Sequence, residues 1–276
     1  MNVPADPAAA SGWLDHPPRM GFLTDTSLCI GCKACEVACK QWNSVPEDGL
    51  SLLGSSYDNT GGLGASTWRH VAFIEQTVPA ADPGGGADGL RWLMSSDVCK
   101  HCTHAGCLDV CPTGALFRTE FGTVVVQEDI CNGCGYCVPA CPFGVIERRE
   151  EDGRAWKCTL CYDRLQNDQT PACAQACPTQ SIQFGPLEEL RERAVDRVQE
   201  LHERGETTAR LYGDDPDDGV GGAGAFFLLL DEPEVYGLPP DPVVPTRDVM
   251  ALWRQTAGAA LMFAVSAVAA FAGRRR

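Results

Sequence analysis

The spacing of sixteen cysteines constrains this chain more than any other feature. They fall into four groups: Cys29, Cys32, Cys35 and Cys39; Cys99, Cys102, Cys107 and Cys111; Cys131, Cys134, Cys137 and Cys141; and Cys158, Cys161, Cys173 and Cys177. The first and third groups read C-x2-C-x2-C-x3-C. The second has one longer gap, and the fourth has eleven residues between Cys161 and Cys173. Thiols this close along the chain point inward at something small. Disulfide scaffolds are instead short secreted chains with a higher cysteine fraction.

Three cysteines two residues apart can wrap a loop around one [4Fe–4S] cube, each reaching a different iron. The fourth sits on the next turn and faces away, toward the other cluster of a pair. Proline follows that fourth cysteine at Pro112, Pro142 and Pro178, and Lys40 takes its place in the first group. Zinc ribbons use separate C-x2-C pairs and need neither the third cysteine nor the Cys-Pro. A zinc-binding scaffold is therefore the rival of another class, and four [4Fe–4S] clusters are the expected cofactors.

Groups two and three are close in sequence, so they are expected to exchange fourth cysteines. One cluster is then Cys99, Cys102, Cys107 and Cys141, and its partner is Cys111, Cys131, Cys134 and Cys137. Groups one and four remain, giving Cys29, Cys32, Cys35 and Cys177 on one cube and Cys39, Cys158, Cys161 and Cys173 on the other. Counting alone leaves open the alternative of one with two and three with four.

A repeat runs through the cysteine region: CPTGAL at 111–116, CPFGVI at 141–146 and CPTQSI at 177–182. Each is a Cys-Pro turn leading into an apolar pair that starts a strand. Turns near Phe121–Gly122 and Asp152–Gly153 suggest hairpins after two of them. The expected fold is α+β: two ferredoxin-like dicluster units, a C-terminal helical arm and a single transmembrane helix. Residues 1–20 read as a mobile N-terminal arm, and 21–185 as the four-cluster domain. Within that domain, 41–95 read as an insertion with a strand at Trp68–Gln76. Residues 186–249 read as an amphipathic helix (186–205), a short strand at Phe226–Leu230 and a Pro-rich linker. Residues 250–276 read as the membrane helix and a basic tail.

The stretch Gln255–Gly273 holds 19 uncharged residues, about 28 Å as a helix against a bilayer core of about 30 Å. Arg274–Arg276 outnumber Arg247 and Arg254 by one charge. The positive-inside rule then places the C-terminus in the cytoplasm and the cluster domain outside it. Residues 1–20 lack the basic and apolar regions of a secretory signal. The net charge of −15 argues against nucleic acid, which needs a basic face.

The stretches CIGCKACEVACKQWN, CKHCTHAGCLDVCPTGAL, CNGCGYCVPACPFGV, KCTLCYDR and PACAQACPTQSI resemble the four-cluster electron-transfer subunits of molybdenum and tungsten oxidoreductases. The resemblance is strongest to the beta subunit of membrane-bound respiratory formate dehydrogenase. It covers most of the chain, including WNSVPEDG at 42–49 and YGLP at 236–239. It implies the nested pairing above and a non-catalytic role beside a molybdenum or tungsten pterin catalytic subunit. It also implies a membrane cytochrome b partner that passes electrons to quinone, and export of the folded subunit with its signal-bearing catalytic partner. In the nitrate reductase relative a tryptophan replaces one ligand; no such replacement occurs here. The same wiring would serve a [NiFe] hydrogenase or another molybdoenzyme.

Other signals are weaker. Gly219, Gly221 and Gly224 fit G-x-G-x-x-G, but an acidic run precedes them and a strand follows, which is the wrong context for a dinucleotide. His101 and His104 read as surface residues or as donors to cluster sulfur. Lys33, Lys40, Lys100 and Lys157 adjoin ligands; most are expected in solvent, with one or two tuning the potentials by their charge. There is no C-x-x-C-H for attached haem, and the terminal helix has no histidine for a b-type haem. No catalytic triad or open metal site stands out.

Overall fold

The structure is a computed structural model that describes residues 6–49, 57, 60–77, 89–247 and 249–273. The basic tail Arg274–Arg276 and much of the insertion between 50 and 88 lie outside the described residues.

The segment read as an arm begins with α1 (Pro7–Ala10), capped by Asp6, whose carboxylate accepts from the backbone N–H of Ala8 and Ala9. Ala8 is fully buried, and the Trp13 indole donates to the Arg118 carbonyl at 3.0 Å. Next come β1 (Met20–Asp25), α2 (Ala34–Trp42), and the long strands β2 (Arg69–Thr77) and β3 (Leu90–Val98). These two strands pair antiparallel from Arg69↔Val98 to Thr77↔Leu90, so the expected strand in the insertion is half of a hairpin.

The cysteine region continues with α3 (Gly106–Asp109), β4 (Leu116–Arg118), β5 (Val124–Val126) and α4 (Cys137–Ala140). It ends with β6 (Glu147–Arg148), β7 (Ala155–Trp156), α5 (Tyr162–Leu165) and α6 (Ala172–Gln175). The two short hairpins β4–β5 and β6–β7 each follow a Cys-Pro turn. The repeated turns share one geometry. The N–H of Gly114, Gly144 and Gln180 donates back to the carbonyl of Cys111, Cys141 and Cys177 at 3.4, 3.2 and 3.3 Å. The closing residue has positive φ each time: +70°, +63° and +55°.

After the cysteines come β8 (Ile182–Pro186), α7 (Leu187–Glu203), β9 (Arg210–Tyr212) and β10 (Ala225–Leu229). They close a sheet of order β8-β1-β10-β9, in which β1 and β10 are parallel and the other pairs antiparallel. A parallel pair needs a crossover, and here the crossover is the whole cluster region. All five residues of β10 are buried, as a central strand covered on both faces requires. Alternation sends Phe226 and Leu228 into a core with Leu187, Leu190, Ala194 and Leu201 of α7. It sends Phe227 and Leu229 to the opposite core with Tyr212, Tyr236 and Leu238. The apolar face of the amphipathic helix expected at 186–205 is therefore the face that docks α7 on the sheet. Finally, α8 (Val249–Gly273) stands clear of the folded body, and its span Leu252–Ala272 is long and apolar enough to cross a membrane.

Candidate metal centres

Each C-x-x-C segment is a tight knuckle that turns two sulfurs toward one point. In the first C-x-x-C of each group the residue before the second cysteine has positive φ: Gly31 at +66°, His101 at +44°, Gly133 at +72° and Leu160 at +59°. The left-handed region costs an L-residue roughly 1–2 kcal/mol. Glycine removes that cost in two knuckles, while His101 and Leu160 are held there by complete burial. Because only two of the four positions are glycine, this shared conformation leaves no common signature among the residues.

The knuckles bring the thiols together in four sets. Cys29, Cys32, Cys35 and Cys177 line one cavity of about 20 Å³. Cys39, Cys158, Cys161 and Cys173 face one another, each of the last three raising the pKa of Cys39 by its charge. Cys99, Cys102, Cys107 and Cys141 line a third site, a cavity of about 20 Å³. Cys111, Cys131, Cys134 and Cys137 line a fourth of about 10 Å³. These groupings cross between sequence groups: Cys35 and Cys39 lie on α2 but face different sets. Four residues of helix rise by about 6 Å, which separates the two sites along its axis.

Each set adjoins the next, so the four follow one another in order. Arg69 lies among Cys35 of the first set and Cys158 and Cys173 of the second. Cys158 of the second feels the charge of Cys99 of the third, and Cys107 of the third feels that of Cys137 of the fourth. Among the sixteen cysteines only Cys32 and Cys134 are exposed, one at each end of the series.

Burial makes the deepest of these thiols hard to ionise. It pushes Cys35 up to about 11, against the lowering effect of the Arg69 charge and the Ser96 hydroxyl. Cys107 and Cys158 are pushed up to about 12, and Cys39 well above the ordinary thiol value. Buried thiols such as these, which resist ionisation on their own, are drawn to the thiolate form by a positive centre between them. Yet among the described residues no three His, Cys, Asp or Glu come close enough together to ligate a single ion. Sulfurs set around a void, with backbone N–H groups aimed at them, fit a cluster better than a zinc ion. Ala155 N–H reaches Cys131 Sγ at 3.4 Å and Leu160 N–H reaches Cys158 Sγ at 3.3 Å. The Asn43 amide reaches Cys39 and Cys161 Sγ at 3.7 and 3.8 Å.

The lysines next to ligands depart from the expectation of solvent. Lys100 and Lys157 are each 1% exposed. Lys100 pairs with Asp97 and sits 5.1 Å from the ring centres of Phe143 and Phe227. Lys157 donates to the carbonyls of Val124 and Cys158. Lys33 pairs with Glu36, and Lys40 donates to the Pro46 and Ser66 carbonyls. Aromatic faces and carbonyls replace the water these ammonium groups give up. His101 is buried too. Its Nδ1 accepts from Val124 N–H at 3.1 Å, so it is not a surface residue; burial first, then nearby Lys157 and arginines, push its pKa well below the usual imidazole range.

The glycine run at 219–224 has a structural task. Val220 and Gly222 carbonyls accept from His104 and Thr103 N–H, and Gly224 N–H donates to the His101 carbonyl. A Cβ on Gly221 would lie 2.4 Å from the His104 ring. The run is a backbone strap over the second cysteine group, which is why it precedes a strand. Arg69, Asn43 and Ser96 also touch the sites. None adjoins a cysteine in sequence, and only Asn43, inside the stretch CIGCKACEVACKQWN that carries the resemblance, was marked by any sequence signal.

Two matches to a family described as a 4Fe-4S dicluster domain cover residues 28–115 and 90–187. The fold and the thiol sets thus define an iron–sulfur protein with two dicluster domains. The formate dehydrogenase iron-sulfur subunit of Haemophilus influenzae is 42% identical over 87% of this chain and 74% of its own length. The nitrate-inducible formate dehydrogenase iron-sulfur subunit of Escherichia coli K12 is 41% identical over 87% of this chain and 78% of its own. A component of the anaerobic dimethyl sulfoxide reductase of that organism is 37% identical over 64% of this chain and 78% of its own. The chain belongs to the family of formate dehydrogenase iron–sulfur subunits.

Proposed function

We propose that this chain is the electron-transfer subunit of a formate dehydrogenase and carries four [4Fe–4S] clusters. Each is held by one thiol set: Cys29, Cys32, Cys35 and Cys177; Cys39, Cys158, Cys161 and Cys173; Cys99, Cys102, Cys107 and Cys141; and Cys111, Cys131, Cys134 and Cys137. When bound, such clusters take up and release single electrons. The chain's residues hold them in order and set potentials through buried charge and sulfur hydrogen bonds. The observation that carries this reading is the order of the sets with exposed thiols only at the two ends. Such a series can take electrons from one partner and deliver them to another.

The partners are a molybdenum or tungsten pterin catalytic subunit and a membrane cytochrome b that leads to quinone. The domain division follows the same reading: a four-cluster domain over 21–185, a C-terminal segment over 186–249 that closes the sheet, and a membrane helix from residue 250. The helix α8 anchors the chain, and the arginine excess after it supports a cluster domain outside the cytoplasm. The test is to purify the native complex anaerobically, identify the large subunit that accompanies the chain, and measure formate-dependent dye reduction. About sixteen irons and sixteen sulfides per chain are expected from four cubes. The dimethyl sulfoxide reductase relative favours a second reading, the same wiring beside another molybdoenzyme; the identity of the large subunit decides between them.

A further inference from the structure

A buried arginine stands between the first two thiol sets. Arg69 opens β2 and is 2% exposed. Its guanidinium donates to the Ser96 carbonyl at 3.1 Å, to Ser96 Oγ at 3.4 Å and to Cys173 Sγ at 3.3 Å. Ser96 Oγ in turn lies 3.3 Å from Cys35 Sγ, so one side chain reaches a sulfur of the second set directly and one of the first through a hydroxyl. The guanidinium carbon lies 4.9 Å from the centre of the Phe22 ring, which closes it off from water.

Among the described residues no carboxylate pairs with Arg69. A buried, unpaired guanidinium is costly unless a negative charge lies close by. Arginine cannot shed its proton to escape that cost. The negative charge available is that of the sulfurs: Cys173 accepts from the guanidinium directly, and Cys35 lies behind the Ser96 hydroxyl.

We propose that Arg69 is a shared electrostatic bridge that raises the reduction potentials of both the Cys29/Cys32/Cys35/Cys177 and the Cys39/Cys158/Cys161/Cys173 clusters. Reduction adds one electron to a cluster and makes its site more negative. A fixed cation touching both sites favours the reduced form of each, and little water is present to screen it. The two clusters are thereby shifted in the same direction by one side chain. Arg69 acts through charge and a sulfur hydrogen bond; it is a positioning residue that takes no part in ligation. The inference rests on the four-cluster reading.

The test is a potentiometric titration of the native complex followed by EPR, with iron counted in the same samples. The two components are assigned by their loss in Cys29→Ser and Cys161→Ser. Arg69→Gln is expected to make reduction of both about tenfold or more less favourable, about 59 mV per tenfold for one electron. The other two clusters should stay within about twofold. Arg69→Lys, which keeps the charge, is expected to hold both within about threefold of the unaltered protein. Unchanged potentials in Arg69→Gln, or a shift confined to one of the two, overturn the proposal. If Arg69→Gln does not retain its irons, Arg69→Lys decides: both potentials kept supports the bridge, and a tenfold fall or loss of clusters refutes it. Iron near eight in the unaltered protein would instead overturn the four-cluster reading, a failure distinct from that of the bridge.

Discussion

Replacing Gly133 by alanine should cost the chain one cluster and leave the other three. Gly133 is the knuckle residue between Cys131 and Cys134, with φ of +72°. The left-handed conformation alone would cost an alanine roughly 1–2 kcal/mol. That cost is tolerable, since Leu160 occupies the same conformation in the fourth group. The deciding contact is different. A Cβ on Gly133 would lie 2.4 Å from the Gly153 carbonyl oxygen, which is backbone in the turn between β6 and β7. Either the knuckle or the hairpin must move, and overpacking of this kind costs about 1–3 kcal/mol more. Together these come to about 2–5 kcal/mol against a native stability of about 5–15 kcal/mol. The fold survives, but the thiols beside the displaced knuckle lose their convergence. Gly114→Ala is the control, because its φ is +70° yet its Cβ would meet nothing within 4 Å. The assay is iron per chain in the anaerobic complex, with thermal unfolding in parallel. Gly133→Ala should fall from about sixteen irons to about twelve, while Gly114→Ala keeps about sixteen. Equal iron and equal melting temperatures in the two variants would refute the reasoning.

Gln180→Gly should stabilise the protein by about 1 kcal/mol, because glycine relieves the left-handed strain at the one Cys-Pro turn that lacks it; a melting temperature higher by about 2–4 °C is the expected reading. Cys177→Ser should abolish the EPR component that Cys29→Ser also removes, despite their separation in sequence. Loss of the component removed by Cys161→Ser instead would contradict the crossed pairing. Phe227→Ala, fully buried in β10, should destabilise by about 3–5 kcal/mol in thermal unfolding, since it opens a cavity in the core and uncovers Lys100. In spheroplasts, external protease should clip the chain near Pro239–Pro245, the run before α8; full protection until lysis would place the cluster domain in the cytoplasm.

Most of this protein's chemistry was legible in its residues. The iron–sulfur character and the local grouping of the thiols follow from cysteine spacing, because each C-x-x-C knuckle is a local structure whose geometry depends on a few adjacent residues. The Cys-Pro repeat, the helix α7 and the apolar stretch of α8 are likewise local patterns with a fixed period or length. Neighbouring charge is a different matter. Lys100 and Lys157 read as surface lysines because sequence shows only that they adjoin cysteines, while their burial depends on Phe227 and Val124, brought from elsewhere in the chain.

By itself, then, the sequence determined that four groups of thiols exist at iron–sulfur spacing, and it left their crossed pairing as one of the arrangements consistent with counting. Only the tertiary structure decided which sulfurs face one another, that the sets follow one another in order with Cys32 and Cys134 at the open ends, and that Arg69, midway in sequence between Cys39 and Cys99, lies against Cys173. The physical reason is distance along the chain. Knuckles and turns are closed by bonds three or four residues apart, whereas the series of sites is assembled by β1 pairing with β8 and β10 across the whole cluster region. That long-range closure leaves no periodic trace in the residues it joins.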